Sequence, residues 1–219
     1  MNRWVLFSAL LALSCPVLST GASATDSGKG DGAKIKDDWI TINKDYSSQR
    51  YVDLDQITPA NVGSLKELCE IQLNEPIFFN SGILKVGRTL YVTTLRGTYA
   101  FDAVTCALRW RYVIDFKQII ASSSNRGAGY LDGKIFRGTS DGGVLAVDAN
   151  TGRFLWETQA ADPTHNESFV SAPIAWRGKV FIGIGVGDFG IAGRLMAFDA
   201  NTGKELWRFN TTESEAARR

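Results

Sequence analysis

MAFDANTGKELW, residues 196–207, is the third writing of one phrase, after YAFDAVTCALRW (99–110) and LAVDANTGRFLW (145–156). Asp102, Asp148 and Asp199 correspond, as do Trp110, Trp156 and Trp207, at intervals of 46 and 51 residues. A period near 50 residues marks a solenoid, a propeller or an array. Upstream of each phrase lie short alternating runs parted by turn residues: NSGILKV and RTLYVTT, NRGAGYL and KIFRGTS, SAPIAWR and KVFIGIG. Each unit therefore reads as four short strands, with Gly87, Asp132-Gly133 and Arg177-Gly178 at the first turns. Within the phrase, Ala-x-Asp ends the third strand, Asn-Thr-Gly turns the chain and the fourth strand carries the tryptophan. The glycine permits a positive φ, the aspartate can satisfy turn N–H groups, and the tryptophan can pack into the neighbouring unit.

Four-stranded units of this length arranged radially are β-propeller blades. Period-2 patterning excludes a helical repeat. The expected fold is all-β: a partial propeller of about three blades over residues 80–210, near 80–115, 125–160 and 170–210, after a lead-in at 39–79 and before a polar tail at 211–219. A closed ring needs at least four blades. Three blades imply missing C-terminal blades, a split-gene product, self-association or a truncated remnant.

Lys+Arg at 24 against Asp+Glu at 23 gives no global field for nucleic acid or an anionic membrane. Met-Asn-Arg, the apolar run WVLFSALLALSCPVLS and Ala22-Ser23-Ala24 predict a signal peptide over 1–24, followed by a flexible linker at 25–38. A membrane anchor and a lipoprotein signal ending at Cys15 are the alternatives; no later segment is apolar enough to span a bilayer. Export predicts a periplasmic chain in which Cys69 and Cys106 remain, and an exported pair reads as one disulfide, with two buried free thiols as the alternative. It would close a loop worth roughly 4 kcal/mol in the chain-entropy model. Cys106 stands where Gly152 and Gly203 stand in the other units, so that turn tolerates a non-glycine, and Cys69 is near enough to staple blade 1 to its leading segment.

Two other motifs fail on context. Residues 185–190 match G-x-G-x-x-G, but the following GRLMAFDA reads as a strand where a dinucleotide fingerprint needs a helix. His165 is the single histidine and has no nucleophile at a suggestive spacing, so neither a triad hydrolase nor a zinc site is supported.

WITINKDYSSQRYVDLDQITPANV, residues 39–62, resembles the opening of the pyrroloquinoline-quinone (PQQ) dependent alcohol dehydrogenases, the quinoproteins. Asp45, Tyr46, Ser47, Gln49, Arg50 and Tyr51 fit one of their elements, and Leu54, Gln56, Ile57, Pro59, Asn61 and Val62 the next. The Asp/Trp phrase resembles their propeller docking motif, and Asn125-Arg126-Gly127 a further family element.

That resemblance implies an eight-bladed propeller oxidising an alcohol with PQQ and a Ca²⁺ or lanthanide ion, and a cytochrome c as electron acceptor. Position by position, it implies that Arg126 contacts PQQ, that Gly185, Val186 and Gly187 border it, and that Asp188 falls on a metal-binding glutamate. A cofactor-bonding threonine falls on Val170 with Ser171 beside it, and an early Glu or Gln falls near Asn80. The departures are as specific. IIASSSNR holds no vicinal cysteines, and the catalytic aspartate and further metal ligands belong to later blades, so no catalytic residue is assigned in this chain. A non-enzymatic envelope propeller that carries no quinone is the competing expectation.

Overall fold

The computed structural model describes residues 37–75, 78–116, 124–185, 187 and 190–212. The signal peptide, most of the linker and residues 213–219 lie outside them. Twelve strands form three sheets, each a four-stranded antiparallel meander in chain order. Blade 1 holds β1 (Leu84–Val86), β2 (Thr89–Thr93), β3 (Gly97–Asp102) and β4 (Leu108–Val113). Blade 2 holds β5 (Gly129–Leu131), β6 (Lys134–Gly138), β7 (Gly143–Asp148) and β8 (Phe154–Gln159). Blade 3 holds β9 (Ile174–Trp176), β10 (Lys179–Gly183), β11 (Arg194–Asp199) and β12 (Glu205–Asn210).

The expected turn chemistry operates in all three blades. Asp102 accepts the N–H groups of Val104 and Thr105, Asp148 those of Asn150 and Thr151, and Asp199 those of Asn201 and Thr202. Cys106, Gly152 and Gly203 share a left-handed backbone, at φ of 60°, 70° and 73°. Each third strand also carries a register shift just before its aspartate, at Ala100/Phe101, Ala146/Val147 and Ala197/Phe198.

The tryptophans join the blades. Trp110 Nε1 donates to the Ala149 carbonyl at 2.9 Å and Trp156 Nε1 to that of Ala200 at 3.1 Å. Their rings lie on the glycines of the next blade's turn: a Cβ at Gly152 would sit 2.5 Å from Trp110 Cε3, and one at Gly203 would overlap the Trp156 ring. Around Trp110, the apolar residues Tyr91, Ala100, Ile135, Leu145 and Val147 form the core between blades 1 and 2. Around Trp156, Phe136, Ala146, Val180, Met196 and Phe198 form the core between blades 2 and 3. Trp207 has no such neighbour among the described residues. It is 41% exposed, and Ile174, Trp176, Leu206 and Phe209 are exposed on the same blade.

The lead-in forms no strand of its own among the described residues and instead runs across the first strand of every blade. Trp39 exchanges backbone hydrogen bonds with Lys85, Ile40 accepts from Tyr130 N–H, and the Tyr46 hydroxyl donates to the Ala175 carbonyl. The DYSSQRY element thus reaches blade 3 through its first tyrosine. The Cys69–Cys106 disulfide is present.

Candidate functional site

The segments entering β1, β5 and β9 converge at one rim. Gly82 N–H donates to the Arg126 carbonyl at 3.1 Å, and Arg126 N–H donates to the Val170 carbonyl at 2.9 Å. Asn80 Nδ2 donates to Ser124 Oγ at 3.2 Å. These bonds bring Asn80, Arg126 and Ser171, which follows Val170, to the same end of three adjacent blades.

Asn125-Arg126-Gly127 divides its work by residue. Asn125 is buried: its Oδ1 accepts from Thr93 Oγ1 at 2.6 Å and from Gly127 N–H at 3.1 Å, and its Nδ2 donates to the Gly138 carbonyl at 3.2 Å. One amide therefore clamps blade 1 to blade 2. Gly127 has φ of 130° and lies against blade 1, where an added Cβ would come 3.2 Å from the Gly82 carbonyl oxygen. With both flanking residues committed to structure, Arg126 is left exposed between them.

The loop after β10 is anchored beside this rim. Gly185 N–H donates to the Ser168 carbonyl at 2.8 Å, and a Cβ at Gly185 would meet Val170 Cγ2 at 2.6 Å, so only glycine lets the loop lie this close. At the loop's far end Arg194 pairs with Glu167 at 2.6 Å, and Thr211 N–H and Gly193 N–H close onto Gly193 O and Thr212 Oγ1. Burial is the largest single influence on Glu167 and works against its charge, but the Arg194 hydrogen bond, the Asp162 N–H and the Arg194 charge together outweigh it and hold the carboxyl below its ordinary range. Gly187 is exposed on this loop. Val186 and Asp188 lie outside the described residues. As expected, the chain after this glycine-rich loop is the strand β11 and not a helix.

Ser168 Oγ and Arg194 Nε are buried with no hydrogen-bond partner among the described residues, both near the base of this loop. Orphaned polar atoms here, the open space around the exposed Gly187 and an exposed arginine suit a polar, anionic ligand. They do not suffice for a cation: among the described residues no group of three or more His, Cys, Asp or Glu is placed to hold one.

Arg137 was not singled out from the sequence. It is wholly buried on β6 and donates to the carbonyls of Thr94, Leu95, Gly97 and Gly138 and to Thr98 Oγ1. No ion pair to it is found among the described residues, and burial pulls its guanidinium down to about 10. It ties blade 2 to the β2–β3 turn of blade 1. The signal was available: alternation from Ile135 puts residue 137 on the inward face, where KIFRGTS carries a charge instead of an apolar residue.

Comparison with known proteins gives one direction. Residues 39–219 match the family described as PQQ, glucose/ethanol/alcohol dehydrogenase, beta-propeller domain. A lanthanide-dependent methanol dehydrogenase of Methylacidiphilum fumariolicum (strain SolV) is 37% identical over 178 residues, covering 77% of this chain and 29% of that protein. The dehydrogenase subunit of a quinone-type alcohol dehydrogenase of Gluconobacter oxydans (strain 621H) is 37% identical over 217 residues, covering 94% of this chain and 28% of its own length. Among solved structures, a europium-containing methanol dehydrogenase superposes with a TM-score of 0.75 at 34% identity, covering 84% of this chain and 34% of that one. The quinohemoprotein alcohol dehydrogenase from Comamonas testosteroni gives 0.71 at 32% identity, over 79% of this chain and 27% of that one. The chain thus spans about three tenths of the length of the curated relatives it matches. With three docked blades, their Asp/Trp joints and a match from Trp39 onward, the chain belongs to the PQQ-dependent alcohol dehydrogenase β-propeller family.

Proposed function

We propose that this chain is the N-terminal portion of an exported PQQ-dependent alcohol dehydrogenase, and that its three blades supply the quinone's first polar contacts but not a complete catalytic site. The observation that carries the reading is the rim. Asn125 and Gly127 are spent on clamping the blades, and Arg126 between them is left exposed beside Asn80 and Ser171. PQQ is a multiply carboxylated quinone, and a guanidinium with an amide N–H beside it is the donor set such an anion takes. Arg126 and Asn80 would hold its carboxylates, Ser171 would offer a hydroxyl, and Gly185, Val186 and Gly187 are the residues assigned to border it. When bound, PQQ supplies the two-electron oxidation of an alcohol.

The metal is a different matter. A Ca²⁺ ion takes six to eight oxygens, and Asp188 offers one carboxylate. Further ligands and the catalytic base come, in this reading, from blades that continue past Trp207, whose uncovered face supports such a continuation. An alcohol substrate, a cytochrome c acceptor and a periplasmic location follow from the same reading. Among the described residues no helix is long and apolar enough to cross a membrane.

The test is a PQQ titration of the purified chain, followed by absorbance or fluorescence with and without Ca²⁺ or a lanthanide, and dye reduction with alcohols. Saturable micromolar binding without turnover is expected. Turnover by the chain alone refutes the partial site; absence of binding at high micromolar PQQ refutes the quinone reading and favours a non-enzymatic propeller.

A further inference from the structure

Two joints between blades are alike, and the place of a third is occupied differently. In the first two, a tryptophan of a fourth strand lies on a glycine of the next blade's Asp-x-x-Thr-Gly turn. The turn of blade 1 is built in the same way: Cys106 N–H donates to the Asp102 carbonyl at 2.9 Å, as Gly152 does to Asp148 at 2.8 Å and Gly203 to Asp199 at 2.9 Å. Yet residue 106 carries a Cβ on the surface where the other turns receive an indole, so no tryptophan can stack there in the same way. Cys106 is bonded to Cys69 instead.

The residues around Cys69 explain the exchange. Glu67-Leu68-Cys69-Glu70-Ile71-Gln72 aligns with Phe154-Leu155-Trp156-Glu157-Thr158-Gln159, sharing the Leu, Glu and Gln, and its Glu-Leu recurs before Trp207. Cys69 takes the tryptophan's position in a fourth-strand sequence. The segment also covers what a preceding blade would cover. Leu73 packs on Val92, Tyr99 and Phe101, the face of blade 1 opposite Trp110, and Glu75 accepts from Thr94 Oγ1 at 2.5 Å and from the Tyr99 hydroxyl at 3.3 Å. Around Cys69 the backbone of residues 66–72 makes no hydrogen bond within the described residues, and Leu68 and Ile71 are exposed.

We infer that the Cys69–Cys106 disulfide is a covalent interblade joint replacing the Trp–Gly joint of this repeat, with Cys69 standing in the tryptophan's position and Cys106 in the glycine's. The leading face of blade 1 is thereby closed to the Trp207 of another copy.

The test exchanges one joint for the other in the full chain. Reduction of the wild type lowers its Tm by on the order of 10 °C for a loop of this length, and Cys69→Ser/Cys106→Ser starts at that lower value and ignores reductant. Cys69→Trp/Cys106→Gly regains most of the loss and also ignores reductant, whereas Cys69→Trp alone does not, because the Cβ of Cys106 still blocks the ring. A double exchange no better than the serine pair, or a single exchange as good as the double, overturns the inference. Should a variant not fold, amide exchange in the wild type decides. Strands β2 and β3 are expected to lose protection on reduction, and unchanged exchange over Thr89–Asp102 contradicts the joint.

Discussion

Alanine at Gly203, read beside alanine at Gly178, isolates what a tryptophan joint contributes. Both glycines hold the same left-handed backbone, at φ of 73° and 72°. An alanine at either position takes on about 1–2 kcal/mol of backbone strain. Nothing lies within 4 Å of a Cβ at Gly178, so the cost stops there. At Gly203 the Cβ would stand 2.7 Å from Trp156 Cδ2 and 3.0 Å from Thr158 Oγ1, and the ring is buried with its N–H committed to Ala200. Overpacking of such a site adds about 1–3 kcal/mol. For a chain of this size each kcal/mol moves Tm by about 2–4 °C, so Gly203→Ala should melt about 2–12 °C below Gly178→Ala. Circular dichroism melts of the two variants measure this, and a red shift of indole emission in Gly203→Ala alone accompanies it. Equal losses in the two variants would refute the claim that the turn glycine is required by the tryptophan and not by its own backbone.

Three further outcomes follow from the same structure. Trp156→Ala removes a buried ring and should cost about 3–5 kcal/mol, whereas Trp207→Ala, on the uncovered face, should cost well under 1 kcal/mol; denaturant melts compare them. Arg137→Ala strands the carbonyls of Thr94 and Leu95 together, and at about 1–3 kcal/mol per buried unsatisfied group it should unfold blade 1 first, seen as early loss of amide protection in β2 and β3. Glu167 has a folded carboxyl pKa below its ordinary 4.5, so its pairing stabilises the fold above that value and is lost as pH falls through the folded pKa. Glu167→Gln should therefore flatten the decline of Tm below about pH 4.5 and leave Arg194 short of a partner at pH 7.

The sequence was most legible where one residue type has one physical use. Asp148 and Gly152 at fixed spacing can serve only a tight turn, and a tryptophan at a fixed step after them must have a surface to lie on; the repeat therefore disclosed strands, turns and joints together. The lead-in was less legible because its bonds are made by backbone groups, as at Trp39 and Ile40, and one long reach by Tyr46, none of which leaves a period in the sequence. At the rim, Asn125 and Gly127 look like part of a ligand motif and prove to be clamps, since an amide's partners lie 13 and 32 residues away. Cys69 concealed its place in the repeat because the one residue that defines the joint had been exchanged, leaving only the flanking Leu, Glu and Gln. The base of the Gly185 loop rests on Glu167 and Arg194, a pair that chain topology alone brings together.

The central claim, that this rim meets a carboxylated quinone through Arg126, is tested most directly by the PQQ affinity of two arginine variants. Arg126→Ala removes charge-assisted hydrogen bonds worth about 1.5–3 kcal/mol and should weaken binding by about 10- to 100-fold. Arg177→Ala removes an equally charged residue that lies over the Trp176 ring at the β9–β10 turn and should leave the affinity unchanged. Equal affinity for wild type and Arg126→Ala, or equal weakening in both variants, would contradict the account.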